Sequence, residues 1–227
     1  MPNPLSKVNP RASVIIANST DTPSIDRPEL AHLAMTVIAQ WSILDSWLNG
    51  LFVKMLGSQS AAATAIYTSL SGSAAKKSAF DAVAKQSLSK EQMEVFVIIM
   101  SLIGKAANQR NNIAHWVWGH SPDIPDGALL CDPIALMKYN AELEIFNRLP
   151  PNTQNALPEI PKEKIYVYVS SDFTTLSETI RRLMGYVMSF RFALSPNEWF
   201  GGDQELAELI QKPEIQQALV RSRAKNR

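Results

Sequence analysis

Apolar residues at Leu30, Leu33, Val37, Trp41, Leu44, Leu48, Leu51 and Met55 recur every three or four positions, the spacing that turns one face of an α-helix toward a core. Asp26 and Pro28 supply a start signal for this helix and Gly57 its end. The small residues from Ser58 to Leu70 predict a second helix, and after Ser71-Gly72-Ser73 a third runs to about Gln86. Ser89-Lys90-Glu91-Gln92 has the form of a capping box and opens a helix with Phe96, Ile99, Ile103 and Ala107 on one stripe. Asp172 is expected to cap a last long helix, in which Phe173, Leu176, Ile180, Leu183, Val187, Phe190 and Leu194 form a three-four repeat. The pattern predicts an all-α fold, a helical bundle of four to five core helices over residues 28–194.

Elsewhere the period changes. Residues 1–27 are rich in Pro, Asn, Ser and Thr around a short β-like run, Ser13 to Ala17, and read as a loosely ordered arm. From Gly119 to Pro161 the chain is rich in Pro, Asp and Asn, with a β-like piece at Ala128 to Cys131. Lys164 to Val169 then reads as a strand. A small β-hairpin insertion spanning 119–170 accounts for both. Residues 195–227 hold short helices interrupted by Gly201-Gly202 and Pro213, then a basic end, Arg221 to Arg227, read as a solvated tail.

Composition narrows the function classes. A chain of 227 residues with 46% hydrophobic content can bury a full core and fits one compact domain with extensions. Lys and Arg total 22 against 21 Asp and Glu, so no overall field gathers nucleic acid or anionic membrane, and any RNA contact is local. The one cysteine, Cys131, has no internal disulfide partner and no companion for a zinc cluster, which predicts a reducing compartment and no metal or other cofactor. The first residues lack the apolar stretch of a signal peptide, and the run Val95 to Met100 is too short to span a bilayer. A cytoplasmic protein without a membrane partner is expected. P-loop, dinucleotide-binding glycine, nucleophile-elbow and His-Glu-x-x-His patterns are all missing.

One stretch stands out against this background. Stepping along the stripe from Phe96 through Ile99, Ile103 and Ala106, the next position is Arg110, an arginine where the pattern calls for an apolar residue. A guanidinium there either pairs with a carboxylate in the core or faces a seam or cleft that takes an anion. His115 follows five residues later, about 140° around an ideal helix, so the two cannot share one face of a regular helix. Either the helix ends or distorts before Trp116 to Gly119, or the two side chains meet across a pair of chains. Asp45, beside the Trp41, Leu44, Leu48 stripe, is a carboxylate that would orient His115 or pair with Arg110, the alternative being a solvated edge. Trp116 and Trp118 offer rings either to a substrate base or to core and seam packing. His120 is expected in an exposed loop, and His32 reads as structural.

Arg110-Asn111-Asn112-Ile113-Ala114-His115 resembles the signature of HEPN domains (higher eukaryotes and prokaryotes nucleotide-binding): arginine, a polar residue, a few more positions, then histidine, late in an all-α bundle. The resemblance covers roughly residues 28–194. It implies a metal-independent endoribonuclease, often a toxin or host (phage) defence component, that acts as a homodimer with both motifs near the symmetry axis. An antitoxin or sensor protein would be a further partner. By position, Arg110 and His115 would be catalytic, Asn111 the supporting polar residue, and Asn112 a substrate contact. Some HEPN toxins carry a tyrosine two residues after the histidine, where a partner enzyme modifies it; this chain has Val117, and regulation by that route is not expected.

The chemistry suits the residue types independently of the resemblance. Metal-free RNA cleavage removes a proton from the attacking 2′-hydroxyl, gives one to the leaving 5′-oxygen, and holds extra charge on the phosphorane. Imidazole, as a side-chain type, serves the two proton transfers near neutrality, and a guanidinium fork matches phosphate oxygens. Each chain supplies one motif histidine, so a dimer would supply the acid and the base. The rival expectations are a non-catalytic nucleotide- or RNA-binding module and a helical scaffold in a larger defence or regulatory complex.

Overall fold

The computed structural model describes residues 2–16, 27–57, 60–150, 156–195 and 202–225. Ala17, Asp26, Ser58, Pro196, Gly201 and Arg227, invoked above as element ends, breakers or tail, lie outside the described residues. The protein is mostly helical, 74% of the described residues, with a small five-stranded antiparallel sheet. In chain order the elements are β1 (Asn3–Pro4), α1 (Leu5–Val8), β2 (Ile15–Ile16), α2 (Pro28–Leu56), α3 (Ser60–Ser69), α4 (Ser73–Ser87), α5 (Lys90–His115), β3 (Val117–His120), β4 (Gly127–Cys131), α6 (Pro133–Arg148), a 3-10 turn (Lys162–Lys164), β5 (Ile165–Val169), α7 (Ser170–Ala193), α8 (Gly202–Ile210) and α9 (Pro213–Lys225).

The chain divides into two compact units, residues 1–39 with 108–177, and residues 40–107 with 178–227. The helices α2, α5 and α7 each give residues to both. At 1.5 Å per residue the 29 residues of α2 extend about 44 Å.

The first unit is built on the sheet, in the order β1-β5-β4-β3-β2. β4 is buried at every position, so both of its faces are covered. Leu129 and Cys131 point to a core completed by Leu5, Ala12, Leu136, Ile165 and Val167. Ala128 and Leu130 alternate to the other face, where their register partners are Tyr168 and Tyr166. Residues 2–16, expected as a loose arm, supply both sheet edges: Asn3 pairs with Val167 and Ile15 with His120. Burying Leu5 (0% exposed) and Ala12 (2%) holds this segment down, and two-residue edge strands leave little backbone open to stray pairing. A five-stranded antiparallel sheet thus stands where the sequence suggests a small hairpin insertion.

Between Gly119 and Pro161 the structure also contains a 16-residue helix, α6, where loop and β-like pieces are expected. Its signals are local: Oδ1 of Asp132 accepts from the backbone N–H groups of Ile134 (2.8 Å) and Ala135 (3.3 Å), and Pro133 stands at the first helical position.

The second unit is helical. Its core runs through rings of Phe52, Tyr67, Phe80, Phe96 and Phe190, with successive centroids 5.3 to 6.1 Å apart. Gly57 (φ 67°) ends α2 in the left-handed conformation expected of a terminating glycine. The capping box of α5 is reciprocal, the Ser89 N–H donating to Gln92 Oε1 (2.9 Å) and the Gln92 N–H to Ser89 Oγ (3.3 Å). The start of α7, in the first unit, differs from expectation: the helix begins at Ser170, and Asp172 in its first turn accepts from the Val169 N–H (3.1 Å). The basic end is exposed from Arg221 to Ala224, as a solvated end would be, but it is helical to Lys225 and Arg223 pairs with Glu94 at 2.7 Å.

Candidate functional site

The motif occupies the last two turns of α5, inside the sheet unit. The helix continues without a break to His115, which ends it, so Arg110 and His115 stand about 140° apart around the axis. Of the two sequence alternatives, the first is met in part: the helix ends before Trp116, and it is regular between Arg110 and His115. Arg110, Asn111 and Asn112 are half-buried, Ile113 is buried, and His115 is exposed. Nη1 of Arg110 donates to Oδ1 of Asn111 at 3.2 Å, so these neighbouring side chains are joined directly.

Beyond His115 the chain turns into β3 and is fastened back to the helix. The Trp116 N–H donates to the Asn112 carbonyl (3.0 Å) and the Trp118 indole N–H to the Ile113 carbonyl (3.0 Å), satisfying two acceptors that a helix C-terminus leaves open. The Trp116 ring lies 5.4 Å from that of Tyr166, and Trp118 stacks on Phe173 at 6.1 Å and 18°. Both indoles thus pack against rings of the unit and stay half-buried.

Asn112 points to the same wall. Its side chain hydrogen-bonds the hydroxyl of Tyr168, itself 3% exposed and packed on Phe173. Burial pushes the Tyr168 phenol up to about 12, the Asn112 bond working against the rise and the Asp172 and Tyr166 charges adding to it. Tyr168 is neutral near pH 7 and is a residue that reading the motif alone misses. The available signal was the alternation of Tyr166 and Tyr168 onto one face of β5.

Asp45 has other partners. In the helical unit it accepts from the Tyr67 hydroxyl (2.7 Å), and both its oxygens take Lys76 Nζ (2.9 Å), with the ammonium 4.4 Å from the Tyr67 ring centroid. Through these contacts Asp45 ties α2 to α3 and α4. His120 sits half-buried in β3 opposite Ile15, where an exposed loop was expected. Cys131 is buried and its thiol is pushed up to about 11, first by burial and then by Asp132, which keeps it protonated. Among the described residues, no group of three or more His, Cys, Asp or Glu could hold a metal ion, and no helix is long and apolar enough to cross a membrane.

Set against protein-family models, curated proteins and solved structures, the chain matches none.

Proposed function

We propose that this chain is a metal-independent endoribonuclease whose site is composed from two copies, Arg110 and His115 acting across the pair. The observation that carries the reading is the placement of Arg110, Asn111, Asn112 and His115 in the last two turns of one unbroken helix, with His115 exposed at its end. A regular helix separates the arginine and histidine by about 140°, so a phosphate held by one chain's guanidinium is better reached by the partner's imidazole. The base takes the 2′-hydroxyl proton as that oxygen attacks phosphorus, the acid gives a proton to the leaving 5′-oxygen, and Arg110 holds the charge that builds on the equatorial oxygens. The hydrogen-bonded Arg110–Asn111 pair supports this, because a guanidinium fixed before substrate arrives loses less freedom on binding phosphate. A toxin or defence role belongs to the same proposal through the HEPN resemblance.

The deciding experiment incubates the full chain with total RNA in excess EDTA and maps the ends of the fragments. The reading expects 2′,3′-cyclic phosphate and 5′-hydroxyl termini, with the activity lost in His115→Ala. Cleavage leaving 5′-phosphates, full activity in His115→Ala, or binding without cutting would replace it with another function.

A further inference from the structure

The sheet unit leaves one helix face uncovered. At about 100° per residue, α6 carries two apolar faces on opposite sides. Leu136, Tyr139, Leu143 and Phe146 make the first, where Leu136 is buried and Tyr139 packs against the sheet core. Ile134, Met137, Ala141 and Ile145 make the second, within an arc of about 80°. There Ile134 is 63% exposed, Met137 65% and Ile145 63%, and Ala141 is exposed between them. A helix lying on a sheet needs only the first face. Single exposed apolar residues are ordinary, but a continuous stripe along three turns is surface that a partner removes from water.

The flanks of the stripe indicate which partner. Met137 and Ile145 are symmetric about Ala141, the smallest side chain at the centre, which lets a second backbone approach closely. Lys138 and Glu142, both exposed, stand on one flank with their midpoint one residue from the same centre. A second α6 laid antiparallel about a twofold axis at Ala141 brings each flank against its own copy with the direction reversed. Lys138 then meets the partner's Glu142, Glu142 meets the partner's Lys138, and Met137 meets the partner's Ile145. On the opposite flank Glu144 pairs within the helix, at 2.7 Å, with Arg148, the charged residue that ends the stripe at its C-terminal side. A face complementary to itself under reversal is what an isologous contact requires.

We propose that a second copy of this chain docks on the Ile134, Met137, Ala141, Ile145 stripe of α6, antiparallel, with Ala141 at the twofold axis. The contact is independent of ribonuclease activity: a chain that fails to cut RNA leaves it standing, and a chain that cuts RNA as a monomer removes it.

The test is sedimentation velocity on the full chain across a concentration series. The native protein should associate to a dimer, and Met137→Glu should weaken association by about tenfold or more, since it sets a charge in the centre of the apolar contact. Lys138→Glu should weaken it less, and Lys138→Glu with Glu142→Lys should restore it, because the reversed pair is again complementary. All three positions are solvent-facing, so circular dichroism should match the native chain. Ala141→Cys should form an intermolecular disulfide under mild oxidation, with the native protein, whose Cys131 is buried, as the control. A monomer at every concentration, a dimer indifferent to Met137→Glu, or a double reversal as weak as the single one would overturn the proposal.

Discussion

The indole nitrogen of Trp118 donates to the carbonyl oxygen of Ile113 at 3.0 Å, joining the first strand after the motif to the last turn of the motif helix. Because the same ring stacks on Phe173, the end of α5 is held to β3 and to the start of α7 at one residue. Trp118→Phe should keep the stack, lose the hydrogen bond and cost about 1 kcal/mol. Trp118→Ala should cost about 3–5 kcal/mol at full burial, and less here because the ring is half-buried. Thermal unfolding of the two variants measures the difference. If Trp118→Phe destabilises as much as Trp118→Ala, the hydrogen bond carries more than assigned here.

Gly119 touches the edge strand too closely to hold a side chain. A Cβ there would collide with the Ile15 carbonyl oxygen and stand 2.6 Å from the Ile16 side chain. Gly119→Ala should therefore push β2 off the sheet and cost about 1–3 kcal/mol. Hydrogen exchange should show lost protection at Ile15 and Ile16 while β4 and β5 stay protected. Unchanged exchange at those two amides would count against a rigid edge.

Asp45, Tyr67 and Lys76 should behave as a structural cluster. Lys76→Ala removes a partly exposed ion pair and should cost no more than about 1 kcal/mol. Asp45→Ala should lower the melting temperature and leave any RNA cleavage within about twofold of native, because its partners are Tyr67 and Lys76. A cleavage rate reduced as far as in His115→Ala would return Asp45 to the site.

Alkaline pH should unfold the protein partly through its buried tyrosines. Burial raises Tyr67 and Tyr168 above the ordinary phenol value of 10.0, Tyr168 to about 12. Above pH 10 the unfolded chain loses these protons while the folded chain keeps them, so folding stability falls as pH rises. For Tyr168 the loss runs from about pH 10 to 12. Tyr168→Phe should flatten this part of the stability curve, followed by circular dichroism alongside tyrosinate absorbance. An unchanged slope would mean the phenol is ionised at its ordinary value.

Arg110→Lys separates charge from geometry at the motif. Lysine keeps the positive charge but loses the fork that meets Asn111 and phosphate oxygens, so under the proposed mechanism cleavage should fall by about tenfold or more. Retained cleavage would mean the site needs only a point charge there.

The long helices were legible in the sequence because their signals are local. The three-four repeat through Val37, Leu44 and Leu51, the Ser89–Gln92 capping box and the left-handed Gly57 each act within a few residues. The same locality put Arg110 on the α5 stripe and His115 about 140° from it, which the unbroken helix preserves. Asp132-Pro133 was an equally local start signal for α6, obscured by the surrounding Pro, Asp and Asn. Tertiary structure alone decided the rest. Pairing Asn3 with Val167 or Ile15 with His120 joins segments more than a hundred residues apart, and no short window encodes a register that depends on burying Leu5 and Ala12. Asp45 found Tyr67 and Lys76 for the same reason: a carboxylate at the edge of a helix takes whichever donor packing brings within about 3 Å, and packing is a property of the whole chain.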